Sequence, residues 1–315
     1  MPENRYSIIS TKQLARICGV SQGTVDRALH GREGIRAQTR ERILAAARKY
    51  GYCPDLPDTR AYAGRSMLFG MVLFDLNNDY FAQLVMDFEA ACRRIGYHAI
   101  VMFSHKDARS EIGCLNQLVH LGVDGIVLFP VGQGAEYGAY LQSLRTPIVT
   151  VGNCVQDIAR VGADDAAAMR DMVAHVLRNG AKSLLYYAPV LARENQENRS
   201  AQEQRYAGFR EAASCAGVPW QLATDECALR HALEGAIAPA VLCPSDHYAI
   251  RVRQWFGARG DVRVCGFDNS RILRKAELPI DSVEIDRTAL VDGILSVLQR
   301  GAQGCTVSHR IAENS

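Results

Sequence analysis

The chain has 315 residues, 48% of them hydrophobic and 22% charged, a globular composition that excludes fibrous and low-complexity polymers and is long enough for more than one core. Its net charge of +2 hides an asymmetry: residues 1–65 hold twelve Lys/Arg against six Asp/Glu, while the other 250 hold twenty-four against twenty-eight. Ten dispersed cysteines without CxxC, eight histidines without metal-ligand spacing, and no export signal or membrane-length apolar run argue for a cytoplasmic protein with free thiols, no metal, no cofactor and no membrane partner.

Residues 10–52 read as three short helices. Ser10 and Gln13 make a capping box before a helix with Leu14, Ala15 and Ile17 on its apolar face, and Gly19 ends it. Ser21 caps a second helix in which Val25, Ala28 and Leu29 recur at i, i+3 and i+4. A loop over His30–Ile35, with Gly31 and Gly34, returns Ile35 to the core. The third helix turns Ile43, Leu44, Ala47 and Tyr50 inward and Arg40, Glu41, Arg48 and Lys49 outward, and Arg36 is a poor cap for it. Two helices joined by a tight turn place the second in a DNA major groove. The basic charge of this head fits a phosphate partner, and the acidic body discourages DNA from binding elsewhere.

The body reads as alternating strands and helices. Strands are expected at Met67–Phe74, His98–Phe103, Gly125–Phe129, Ile148–Val151, Ser183–Tyr187, Val241–Cys243 and Val262–Phe267. Helices are expected at Tyr80–Arg94, Arg109–Leu121, Asp165–Arg178, Gln202–Ala216, Asp246–Ala258 and Arg287–Gln299, followed by a late strand at Thr306–Ile311. This pattern implies parallel sheets covered on both faces, and the length favours two lobes. Ligands in such folds bind beyond the carboxyl ends of the strands. Asp75, Asn77 and Tyr80 follow the first strand, Asn153 the fourth, and Ser245 and Asp246 follow AVLCP. Amides and carboxylates beside aromatics suit a polyhydroxylated ligand, although Asp and Asn after strands also serve as caps and turns. Gly132, Gly134 and Gly138 suggest a dinucleotide loop, but a third-strand position with no placed acidic ribose partner argues against it. No nucleophile elbow or paired-carboxylate signature is present, so no enzyme is expected.

The segments LARICGVSQGTVDRALHG and TRERILAAARKYGY-x-P, and the linker ending at Gly64, Arg65 and Ser66, resemble the lactose-repressor (LacI/GalR) family of bacterial transcription regulators, and the resemblance continues through the body. It implies a helix-turn-helix domain over 1–53, a hinge linker over 54–65 and a two-lobe α/β effector domain, similar to periplasmic sugar-binding proteins, over 66–315. The first lobe would take about 66–162 and 284–305, the second about 163–283 and 306–315. Carried over by residue, the resemblance makes Gln22 and Gly23 the usual base-reading positions, of which only Gln22 has a side chain to bond adenine. Arg27 becomes the candidate for guanine, with a phosphate contact or a structural salt bridge as the alternative. Ser21 and Thr24 fall at phosphates, and Thr11 and Tyr52 join the DNA-contacting set. Asp26 departs from the family's usual serine; it either pairs with a neighbouring arginine or accepts from a cytosine amino group. Arg205, in QRYAGF, matches the ligand-binding arginine, and Asp268, in VCGFDN, the acidic residue that accepts sugar hydroxyls.

The linker departs further. The resemblance implies a hinge helix that wedges a leucine into the minor groove, but Ala61 occupies that register and Pro57 fits only a first helical turn. A shorter helix after Asp55 also fits. The resulting expectation is a homodimer on a pseudo-palindromic operator, with a carbohydrate effector between the lobes altering the spacing of the two DNA heads. A repressor is favoured, because occupancy alone blocks polymerase. The alternatives are an activator of the same family or a solute-binding protein.

Overall fold

The computed structural model describes residues 11–29, 31–49, 65–192, 198–256 and 260–314. Expectations resting on Ser10, His30, Tyr50, Tyr52, Pro57 and Ala61 lie outside the described residues. The chain divides into two compact units, 1–67 and 68–315.

Unit 1 contains α1 (Thr11–Cys18), α2 (Gln22–Leu29) and α3 (Ala37–Lys49). Their shared core is Leu14, Ala15, Cys18, Val25, Ala28, Leu29, Ile43 and Ala47, with Ile35 and Leu44 packed against it. Gly19 adopts φ +63, the left-handed conformation that ends α1. The Ser21 Oγ accepts from the Thr24 N–H at 3.1 Å, capping α2. Two expectations need correction. Ile17 is 46% exposed and Cys18 takes its place in the core; at 100° per residue, Ile17 lies roughly 110° from the direction shared by Leu14, Ala15 and Cys18. Arg40 is half-buried and turns back, donating its Nη2 to the Arg32 carbonyl at 2.6 Å.

Unit 2 holds two parallel sheets. The first combines β1 (Leu68–Leu73), β2 (His98–Phe103), β3 (Gly125–Leu128), β4 (Ile148–Val151), β5 (Arg160–Ala163) and β11 (Cys305–Val307), in the order β11-β5-β4-β3-β1-β2. The second combines β6 (Ser183–Tyr187), β7 (Trp220–Ala223), β8 (Pro239–Leu242), β9 (Arg263–Phe267), β10 (Asp281–Ile285) and β12 (His309–Ala312), in the order β12-β10-β9-β8-β6-β7. Among the described strands, only β12 runs antiparallel to its neighbour. Helices α4 (Asp79–Arg94), α5 (Ala108–His120), α6 (Gly134–Ser143) and α12 (Arg287–Arg300) accompany the first sheet; α7 (Asp165–Arg178), α8 (Ser200–Ala216), α9 (Glu226–Leu233), α10 (Asp246–Phe256) and α11 (Arg271–Lys275) accompany the second. The central strands are fully buried, and parallel pairing with helices on both faces requires such near-continuous apolar runs.

The chain passes between lobes after β5, after β10 and after β11, each time through a single residue: Asp164, Asp286 and Ser308. Two of these crossings are helix caps, since Asp164 accepts from the Ala167 N–H and Asp286 from the Ala289 N–H, both at 2.9 Å. The single late strand expected at Thr306–Ile311 is in fact two. Residues Cys305–Val307 pair with β5 in the first sheet and His309–Ala312 with β10 in the second. The glycine-rich stretch after β3 opens α6 rather than a nucleotide loop, and α6, α9, α11, β5, β7 and β10 had no counterpart in the periodicity.

Candidate functional site

In unit 1 the exposed face of α2 is the candidate recognition surface. Gln22, Gly23, Asp26 and Arg27 stand at i, i+1, i+4 and i+5 and share one face, opposite the buried Val25, Ala28 and Leu29. Gln22, Gly23 and Arg27 are exposed, and Thr24 and Asp26 half-buried. Thr11 begins α1. The Ser21 and Thr24 hydroxyls lie 2.9 Å apart; one supplies the shared proton, so the other retains an O–H for an outside acceptor. Asp26 pairs with Arg32 at 3.2 Å, which favours the arginine-partner alternative. A Cβ on Gly23 would meet nothing nearer than the Ser21 Oγ at 3.9 Å, so neither sterics nor φ requires glycine there. Gly23→Ala is therefore expected to raise the stability of unit 1 by about 0.5–1 kcal/mol, read as a higher melting temperature; a lower one contradicts this account.

Unit 2 has a cleft of about 610 Å³ between its lobes. Asp75, Asn77, Asn153, Ser245 and Asp268, from the carboxyl ends of the strands, reach its lining together with Tyr80 of α4 and Arg205 of α8. Asp246 is a correction. It is 1% exposed and lies behind the cleft, its Oδ2 accepting from the Ser270 N–H and its Oδ1 from the Ser282 hydroxyl, each at 2.6 Å. As the first residue of α10, it ties that helix to the segments after β9 and in β10. Asn153 lines the cleft, yet its amide is spent within the protein, donating to the Pro130 and Asn198 carbonyls and accepting from the Ala201 N–H.

Periodicity missed the group at the base of the cleft. Asp165, with its side chain 3% exposed, joins an arginine from each lobe: Arg160 Nη2 at 2.9 Å and Arg205 Nε at 2.8 Å. Arg205 also donates Nη1 to the Pro244 carbonyl at 2.6 Å and lies 3.5 Å over the Phe267 ring. A guanidinium carries five donors in a fixed fork, and Arg205 gives one to Asp165 and one to Pro244. The adjacent Asp164-Asp165 pair after a short strand was the available signal, but β5 was too short to register. Asn78 was also missed; its Nδ2 donates to Asp268 Oδ2 at 3.0 Å from the opposite lobe. Near the rim, Asp75 accepts from the Asn77 N–H at 2.9 Å and pairs with Lys106 at 3.1 Å. Burial opposes ionisation of Asp75, but that N–H and the lysine outweigh it and hold the carboxyl below its ordinary range. Phe74, Phe81 and Phe129 supply an edge-to-face aromatic cluster on the first-lobe wall.

Asp268 combines an unusual backbone with a shifted carboxyl. Its backbone is held at φ +107, and such strain persists only where the surroundings over-determine it. Burial pushes its carboxyl up to about 7, against the lowering effect of Arg205, and burial likewise raises Asp246. An acid whose folded pKa exceeds its unfolded value makes the native state the stronger proton binder. Its penalty is full above pH 7 and fades on acidification. Asp268→Asn should thus exceed the parent in stability most at about pH 8 and least at about pH 5. Melting curves across that range test this, and a constant difference rejects it.

The fold and the cleft define a class: a two-lobe ligand-binding body preceded by a helix-turn-helix unit. Residues 11–55 match the family described as bacterial regulatory proteins of the lacI family, and residues 66–229 match the periplasmic binding proteins and sugar binding domain of LacI family. The chain belongs to the LacI family of DNA-binding transcriptional regulators, which are not enzymes. It is 24% identical over 293 residues to catabolite control protein A of Staphylococcus aureus, covering 87% of each chain. The Lac repressor dimer bound to operator and the anti-inducer ONPF superposes with a TM-score of 0.74 at 18% identity, covering 98% of this chain and 99% of that one. The complex of the transcriptional regulator CelR with cellobiose gives 0.63 at 20% identity, covering 98% and 100%. Among the described residues, no helix is long and apolar enough to cross a membrane.

Proposed function

We propose that the protein is a cytoplasmic, homodimeric repressor whose hold on a pseudo-palindromic operator is tuned by a carbohydrate or carbohydrate derivative in the cleft. The observation that carries the ligand reading is the cleft lining itself: Arg205 and Asp268 offer donors and an acceptor beside a phenylalanine wall. Hydroxyl groups taken out of water need such paired partners, and the apolar face of a sugar ring needs the wall. The cellobiose held by CelR, a similar fold, supports the same reading. On the DNA side, Gln22 and Arg27 read base edges, Thr11, Ser21, Thr24 and Tyr52 engage the backbone, and Asp26 tempers the phosphate attraction. A repressor needs only to occupy its site, whereas an activator needs a further contact surface.

Sequencing the DNA fragments retained by the purified protein identifies the operator. Thermal-shift titration with a sugar library, with and without that operator, then reads the coupling. A ligand should shift operator affinity by a factor equivalent to about 1–3 kcal/mol, and the operator should shift ligand affinity by the same factor. No preference for any oligonucleotide over random competitor would overturn the reading. Asp26→Ser is expected to raise non-specific DNA affinity by a few-fold, because it removes a carboxylate from the phosphate-facing side and frees Arg32. Unchanged binding across a salt series would contradict it.

A further inference from the structure

One second-lobe residue reaches several points of the first. The Asn198 N–H donates to the Val131 carbonyl at 2.8 Å. Its Nδ2 donates to the Gly132 carbonyl at 3.1 Å and the Cys154 carbonyl at 2.8 Å. Its own carbonyl accepts from Asn153 Nδ2 at 2.6 Å. Next to it, the Ala201 N–H donates to Asn153 Oδ1 at 3.1 Å, and the Ser200 hydroxyl accepts from the Cys154 N–H at 2.9 Å. Asn198 is 7% exposed, so these bonds are shielded from competing water.

The receiving side is organised from within the first lobe. Glu111, on α5, has no solvent exposure. Its Oε2 accepts from the Val131 N–H at 2.7 Å, and its Oε1 from the Gly132 N–H at 2.9 Å and from the Tyr137 hydroxyl. Val131 and Gly132 therefore give their N–H groups to Glu111 and their carbonyls to Asn198. A Cβ on Gly132 would lie 2.7 Å from the Tyr137 ring, so glycine is what lets that ring and its hydroxyl close on the carboxylate. This accounts for the first glycine of the Gly132-Gly134-Gly138 stretch without a nucleotide.

We propose that Glu111 and Asn198 form a latch that holds the two lobes together through protein groups alone. Glu111 is a positioning residue in it, fixing the peptide carbonyls that Asn198 reads across the boundary. Hydrogen bonds linked in series through peptide groups polarise one another, so loss at one end weakens the other. Any ligand that changes the lobe arrangement has to break this latch or carry it along. The latch follows from the geometry of unit 2 and is independent of which effector is bound.

Amide hydrogen exchange on the full chain tests it, with X-ray scattering as a second readout. Glu111→Gln retains volume but replaces one of the two acceptor oxygens with an NH₂, so one of the Val131 and Gly132 N–H groups loses its acceptor and the other bonds a neutral amide oxygen. It should speed exchange by about tenfold at Val131 and Gly132, and also across the boundary at the Asn198 and Ala201 N–H groups. Asn198→Asp sets a carboxylate against the Gly132 and Cys154 carbonyls. It should speed exchange at the Val131 and Gly132 N–H groups, which bond Glu111 and not Asn198, and should enlarge the radius of gyration. Tyr137→Phe and Asn198→Ser serve in the same assay where the first variants do not fold. Cooperatively melting variants whose exchange changes stay inside their own lobe, with an unaltered radius, overturn the latch.

Discussion

Arg205→Ala is expected to destabilise unit 2 by about 3–5 kcal/mol and to abolish the ligand response. The side chain is well buried, and its removal leaves Asp165 with the Arg160 contact alone. It also withdraws the cation that lowers the Asp268 carboxyl and the N–H given to the Pro244 carbonyl. Arg160 remains to compensate Asp165 only in part, and a buried carboxylate that loses one of its two cations costs more than that contact itself contributes. Arg205→Lys separates the two consequences. An ammonium can retain an ion pair with Asp165, but it lacks the planar fork that reaches Asp165 and Pro244 together and it stacks poorly on Phe267. Chemical denaturation should find the lysine variant closer to the parent in stability, while titration should find its ligand response still lost. A ligand response in Arg205→Ala equal to the parent's would remove Arg205 from the effector site.

Gly208→Val is the second substitution with a large expected effect, at least about 3 kcal/mol of destabilisation. A Cβ at this position would lie 2.2 Å from the Ala166 carbonyl oxygen and 2.8 Å from its Cα. These are backbone atoms of α7, so no side chain can yield. The glycine lets α8 press against the start of α7, and that closeness sets Arg205 on α8 within bonding distance of Asp165 on α7. Widening the helix pair should therefore weaken the ion pair as well as the core. Gly208→Ala carries the same first clash with a smaller remainder, so its loss should be lesser but in the same direction. Urea denaturation of both variants decides the matter; parent-like midpoints would mean that α7 and α8 can separate without cost.

Much of this molecule is legible in the amino-acid order. The helix pair of unit 1 announced itself through Ser21, Gly19 and the apolar triplet Val25, Ala28 and Leu29, all of which act locally. Strands such as Ile148–Val151 and Ser183–Tyr187, and the helix Asp165–Arg178, matched their expected limits, because buried parallel strands and amphipathic helices impose periods that survive in composition. What escaped was short or non-local. β5, β7 and β11 have three or four residues and hold their place through neighbours. β10 contains Asp281 and Glu284 and would not read as a buried strand, yet Asp281 is buried against His175 at 3.0 Å and Arg263 at 3.2 Å. The split between β11 and β12 depends on which sheet edge each segment meets.

The candidate site divides in the same way. Position after a strand identified Asp75, Tyr80 and Ser245 as cleft residues, and family resemblance added Arg205 and Asp268. Position could not separate Asp246, which turns away to cap the segments behind it, from its neighbour Ser245. Nor could it find Asp165, Asn78 or Glu111, each of which has a partner at least twenty residues away in the chain. Periodicity and capping are properties of adjacent residues, so the amino-acid order alone established a three-helix head and an alternating body of strands and helices. Which carboxylate meets which arginine, which amide bridges the lobes and which acid loses its charge depend on groups brought together only when the chain crosses between lobes, and the tertiary structure alone decided them.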